Sequence, residues 1–226
     1  SGGMDVLSML VGIYGSRELF VEEYRGMLAG RLLDGEAAYD TDREVHTLEL
    51  LKLRFGEADM RTCEVMVKDI DDSKRIAANV HSTLRARGDD KGTALDAAIL
   101  SHVFWPSLPK SSWKAHPTLR EHTAAFGREF YRLKNPRRLV WINGLGSVSL
   151  ELRLEDEAEP RQYTVDPAQA TLVSHLADRD AWTSAELAAE MSWTEEAVRR
   201  AMGVWIRNGV ARVADDGAGP AARASP

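Results

Sequence analysis

Cysteine is almost missing from these 226 residues: Cys63 stands alone. No intrachain disulfide can form, and a lone thiol suits a reducing compartment, so nucleus and cytoplasm are the expected locations. Long apolar runs are missing too. Charges interrupt each of them well before the ~18 residues that a membrane helix requires, so no membrane partner is expected. The histidines (His46, His81, His102, His116, His122 and His175) form no HExxH and no zinc spacing with the cysteine. Neither a GxxxxGKS/T nor a GxGxxG loop occurs, and Gly144-x-Gly146 reads as a hairpin turn. No metal and no other cofactor is expected. Cys63 shares an apolar stripe with Met60 and Val67 and has no nearby histidine in sequence, which argues for a buried thiol rather than a nucleophile.

What is present is ordinary for a globular protein: 44% hydrophobic and 28% charged residues. Net charge is −6, which weighs against a general nucleic-acid binder. The distribution is uneven. Between residues 107 and 138, Lys110, Lys114, Arg120, Arg128, Arg132, Lys134, Arg137 and Arg138 face only Glu121 and Glu129. No lysine follows Lys134. The opening Ser1-Gly2-Gly3-Met4 reads as a tag remnant and is set aside.

Apolar spacing predicts helices over residues 5–14, 16–33, 40–55 and 59–87. In the second, Ser16 is the expected N-cap and Phe20, Tyr24, Met27, Leu28 and Leu32 the buried stripe. Leu50, Leu51, Leu53 and Phe55 lead to a Gly-Glu-Ala-Asp break, after which Met60, Cys63, Met66, Val67 and Ile70 resume the helical period. Two amphipathic helices meeting at a sharp corner are expected there. Residues 94–104 have β-type composition, 117–134 a helical pattern, and 139–154 the look of a β-hairpin, with a further short strand at 161–165. Residues 166–213 read as three helices and a strand, with capping boxes at Thr183-x-x-Glu186 and Ser192-x-x-Glu195 and a stop at Asn208-Gly209. That is a winged-helix pattern whose wing is only half present. The fold class expected is α+β: a helical bundle (4–92), an α/β lobe with a β-hairpin (93–165), a winged-helix module (166–214) and an Ala/Gly/Pro-rich, disordered tail (215–226).

Five segments carry a family resemblance: IYGSRELFVEEYRGMLAGRLL, ELLKLRFGEADMRTCEVMVKDIDDSKRI, ILSHVFWPSLP, GREFYRLKNPRRLVWINGLGSVSLEL and the closing PAQATLVSHLADRDAWTSAELAAEM with VRRAMGVWIRNGVARV. In that order they resemble the C-terminal cullin-homology region of RING-type ubiquitin-ligase scaffolds, and most of all its anaphase-promoting-complex branch. The resemblance implies a non-catalytic scaffold in cell-cycle proteolysis that binds a RING-H2 zinc protein and other ligase subunits. In that family the α/β lobe takes an extended RING-protein segment into its sheet, a case of β-augmentation. The residues matching that role are Ala97, Ala98, Ile99, Leu100, Ser101, His102 and Val103, with Leu139, Val140, Trp141 and Ile142.

The family's second winged-helix domain, which in ordinary cullins bears a modified lysine, is expected to lie outside this sequence. No modification site is therefore assigned, and contact with a ubiquitin-conjugating enzyme is expected mainly indirectly. Arg128, Arg132, Arg137 and Arg138 are candidates for steering an acidic partner. Two alternatives stand beside this reading: an ordinary cullin of another RING ligase, and a winged-helix nucleic-acid binder. Glu195 and Glu196, at the end of the candidate recognition helix (194–208) that would approach phosphates, oppose the second.

Overall fold

The computed structural model describes residues 12, 16–34, 41–154, 159–214 and 221–224. The helix expected over 5–14 lies outside them apart from Gly12, as does most of the expected tail. Helices dominate, small antiparallel sheets accompany them, and the fold class is α+β. The chain gathers into two compact units that cut across the expected lobes: Ser1–Leu108 with Arg128–Leu139, and Pro109–Gly127 with Val140–Pro226. The physical reason is where the tryptophans go. Trp105 is buried in the core of the first unit and Trp113 in that of the second.

In the first unit, α1 (Arg17–Asp34) starts where Ser16 Oγ accepts the Leu19 amide at 3.1 Å, the expected N-cap. Phe20, Tyr24, Leu28 and Leu32 are buried as the helical period requires, whereas Met27 points outward. α2 (Asp42–Phe55) and α3 (Glu57–Ala86) meet at Gly56, whose φ of 90° and ψ of 161° suit glycine alone. Arg17 clips this corner by donating to the Phe55 carbonyl and pairing with Asp59 at 2.6 Å. The expected stripe on α3 is buried at Met60, Cys63, Met66, Val67 and Ile70. On α2 the inward set is Leu48, Leu51 and Phe55. Leu50 and Leu53, apolar positions at the same helical spacing, face solvent, Leu53 at 79% exposure. Phe20 stacks on Phe55 with ring centroids 5.0 Å apart, joining α1 to α2. Glu44, buried, receives two bonds from Arg31 at 2.8 and 2.9 Å and ties α2 to α1.

The second unit contains the first part of α4 (Pro117–Lys134), a helix with the expected bounds. β1 (Val148–Leu152) pairs antiparallel with β2 (Arg161–Val165), Leu150 opposite Tyr163. This corrects the expected hairpin. The turn at Asn143-Gly144 forms, yet residues 139–142 are not a strand, and β2 pairs with β1 instead. α5 (Pro167–Asp178) begins with a capping box between Asp166 and Gln169. β3 (Ala181–Thr183) leads into α6 (Ser184–Met191), capped as expected by Thr183 and Glu186. Ser192 is not a cap for the next helix. It takes the left-handed conformation, φ 53°, that ends α6, and Thr194 caps α7 (Glu195–Arg207) by accepting the Ala197 amide at 3.2 Å. Asn208-Gly209 stops α7 as expected, with Gly209 at φ 71°.

β4 (Ala211–Ala214) and β5 (Ala221–Ala224) complete a sheet of order β3-β5-β4. β5 falls in the segment that composition marked as disordered and pairs along its length with β4. The core of this unit centres on Trp205, fully buried, whose Nε1 donates to the Gln169 carbonyl at 2.8 Å and whose ring meets Tyr163 edge-on.

Candidate partner-binding segments

Residues 94–99 alternate between exposed and half-buried, as an extended chain with one covered face should. The expected strand at 97–103 nevertheless joins no sheet among the described residues, and 102–104 form a turn. Side chains of α3 hold its backbone in place of a neighbouring strand. Ser73 Oγ accepts the Ile99 amide at 2.7 Å, Asp69 accepts the Ser101 amide at 2.7 Å, and His81 Nε2 lies 2.9 Å from the Leu95 carbonyl. Asp69 also accepts from Ser101 Oγ at 2.9 Å and from Trp105 Nε1 at 2.8 Å, which pins the segment's end into the core. Val103 is left 75% exposed.

In the second segment Trp141 packs edge-on against Phe126 at 5.9 Å while Val140 is 91% exposed. Residues 139–142 also lack a sheet partner among the described residues. Both segments named from sequence are therefore extended or irregular backbone with outward apolar side chains.

The four candidate steering arginines are all exposed, but they differ. Arg132 pairs with Glu129, which is buried and also receives Arg87. Arg138 stacks over Tyr131 at 4.7 Å. Arg128 and Arg137 have no ion-pair partner among the described residues.

Three further groups bear on chemistry. Cys63 is fully buried, and burial pushes its thiol up to about 11, so the thiolate needed for attack is not populated near neutral pH. On α7, Arg199 pairs with Glu195 at 3.2 Å and Arg200 with Glu196 at 2.8 Å, so the helix face that would meet phosphates carries neutralised arginines. The ligand-type atoms of His116, His175 and Asp178 lie within 4.8 Å of one another, a juxtaposition with no signal in their spacing. His116 precedes α4 and caps it: Nδ1 accepts the Thr118 amide at 3.3 Å, which leaves the proton on Nε2, 2.8 Å from Asp178. That tautomer fits a structural clamp, since a metal at Nε2 would have to displace the proton. His175 packs edge-on to His116 at 4.6 Å, and burial, then the neighbouring imidazole, lower its pKa.

No family model matches the chain. It is 38% identical over 210 residues to anaphase-promoting complex subunit 2 of Homo sapiens, an alignment covering 92% of this chain and 25% of that protein. The same-named protein of Arabidopsis thaliana is 36% identical over 214 residues, covering 92% of this chain and 24% of the relative. Cullin-1 of Oryza sativa subsp. japonica is 26% identical over 193 residues, 84% of this chain and 25% of that protein. The chain spans about a quarter of the length of these curated relatives.

Proposed function

Because the chain belongs to the cullin-homology family, in the branch of anaphase-promoting complex subunit 2, we propose that it is a non-catalytic scaffold segment of a RING-type ubiquitin ligase. Its task is to bind the RING-H2 subunit and hold it for ubiquitin transfer, so that proximity rather than bond chemistry is its contribution. The observation that carries this reading is the segment 97–101, held along its backbone by side chains of α3 and without a strand neighbour among the described residues. An extended segment of the RING-H2 protein docks there by β-augmentation, with residues 139–142 the second candidate.

The module from α5 to β5 is read as a winged helix, supported by its order of helix, strand, two helices and two strands. Its role is protein packing, since Arg199 and Arg200 at the start of α7 are already paired. Arg128 and Arg137, with Arg132 and Arg138, steer an acidic partner such as a conjugating enzyme, acting on the association rate. The ligase works in nucleus and cytoplasm.

Co-expression with the RING-H2 subunit tests the proposal. Co-purification, weakened by Val103→Asp, is expected. A chain that leaves the RING-H2 protein behind but shifts duplex DNA in a gel would overturn the scaffold reading in favour of a nucleic-acid binder. For the steering arginines, R128E/R137E is expected to slow association at low salt and to converge on the parent at high salt. Equal rates across the salt series would remove that role.

A further inference from the structure

The His116 ring is satisfied at both nitrogens, by the Thr118 amide at Nδ1 and by Asp178 at Nε2. The ring beside it is not. His175 is only 5% exposed, and neither of its ring nitrogens has a hydrogen-bond partner among the described residues. Its main-chain carbonyl, by contrast, accepts Trp182 Nε1 at 2.8 Å and the Arg179 amide at 3.2 Å. A neutral imidazole carries one N–H and one lone pair, so the clamp leaves a buried donor and a buried acceptor unmet. Buried polar groups in that state are few, and a bound ligand is one of the things that account for them. The surroundings favour a cation. The ligand-type atom of His175 lies within 4.8 Å of those of His116 and Asp178. His175 and Asp178 stand in the last turn of α5, at the negative end of the helix dipole. Among the charges acting on His175, Asp178 and Glu190 are negative against the positive Lys114. Burial keeps the imidazole neutral, the form that can ligate. The Asp178 side chain is 63% exposed and gives an approach from solvent.

We propose that His116, His175 and Asp178 form a binding site for a divalent cation of the zinc class. Two imidazoles and one carboxylate suit that class and leave a fourth position to water, whereas calcium and magnesium favour oxygen ligands. Ligands about 2.0–2.1 Å from zinc in a tetrahedron stand roughly 3.4 Å apart. The spacing here runs from 2.8 Å, between His116 Nε2 and Asp178, to at most 4.8 Å. Side-chain adjustments of roughly 1 Å therefore complete the set. Without the cation, His116 and Asp178 form the clamp. On binding, the His116 proton passes from Nε2 to Nδ1, the ring stays neutral and Nε2 takes the metal. The Thr118 amide, on the exposed first turn of α4, then turns to water as other first-turn amides do. The cation ties the start of α4 to the end of α5, 62 residues along the chain.

Zinc titrated calorimetrically into the EDTA-treated, dialysed chain is expected to bind one to one and to raise Tm, as a ligand of the folded state does. Co2+ in its place is expected to show the intense visible bands of four-coordination. His175→Phe keeps a buried ring, removes a ligand and is expected to abolish both signals. Asp178→Asn changes a largely exposed side chain, so it reads the site even if H175F does not fold. D178N is expected to weaken zinc binding by no less than the ~10-fold that an outer-shell change costs. A chain that shows neither a zinc-dependent heat nor a rise in Tm overturns the proposal. One-to-one binding that D178N leaves unchanged overturns it too, because the ion then sits elsewhere on the chain.

Discussion

Replacing Asp69 by alanine removes the acceptor for three donors: the Ser101 amide, Ser101 Oγ and Trp105 Nε1. Trp105 is 4% exposed, so its indole N–H has no ready water. A buried donor left unpaired costs about 1–3 kcal/mol. The two Ser101 groups are half-buried and recover part of their loss from solvent, adding about 1 kcal/mol between them. The expected destabilisation is about 3 kcal/mol. In a chain of this size each kcal/mol lowers Tm by about 2–4 °C, so a fall of roughly 6–12 °C follows.

Urea denaturation followed by tryptophan fluorescence measures the change, and a double-mutant cycle apportions it. With Trp105→Phe in place, no indole donor remains to be orphaned, and D69A is expected to cost only about 1 kcal/mol, that of the two Ser101 groups. The coupling energy is therefore about 2 kcal/mol. An equal cost for D69A in both backgrounds would refute the pinning of residues 95–105 through the Asp69–Trp105 bond.

At the helix corner, Gly56→Ala forces a Cβ onto a backbone with φ 90° and ψ 161°, and a loss of about 1–3 kcal/mol is expected by thermal melt. The added Cβ itself has room, 3.8 Å from the nearest Arg17 atom, so the cost is conformational and not steric crowding. Cys63, with its thiol pushed up to about 11, is expected to resist iodoacetamide at pH 8 in the folded chain and to label promptly in urea. Prompt labelling of the folded chain would contradict its burial. The Glu186 carboxyl is held below its ordinary value of 4.5 by the Thr183 backbone amide first and then by Arg179. A depressed acid stabilises above its unfolded value and loses that contribution as pH falls through the folded one. Glu186→Gln, which can still complete the capping box, is expected to flatten the acid limb below about pH 4.5 and leave neutral stability nearly unchanged, as urea midpoints across pH will report.

Much of the helical architecture was legible because burial on a helix repeats every 3.6 residues. The stripe from Met60 to Ile70 follows directly from that period. The same logic failed on α2, where leucines occupy both sides. Leu50 and Leu53 match a helical spacing as well as Leu48 and Leu51 do, and only packing against α1 and α3 selects between them. Capping chemistry was readable where one candidate stood before a helix, as at Thr183. With Ser192 and Thr194 both available, the choice fell to the left-handed turn that closes α6.

The candidate segments divide in the same way. Composition marked 94–104 as β-type, and burial alternates along 94–99 as in a strand, although the segment joins no sheet among the described residues. Whether it joins a ladder depends on partners far along the chain. Asp69 lies 32 residues before Ser101, and nothing local announces that a helix will take the place of a strand. The meeting of His116, His175 and Asp178 was equally hidden, since 62 residues separate the first from the last.

The sequence by itself determined the family, the helical stripes, the corner at Gly56 and the isolation of Cys63, because these depend on residue type and short-range period. The tertiary structure alone decided which leucines are inside, which strand β1 accepts, which tautomer His116 holds and which side chains of α3 hold the backbone of residues 95–101. Each of these is a choice among partners of equal local merit, and a hydrogen bond or a packed face is allotted only when distant parts of the chain arrive together.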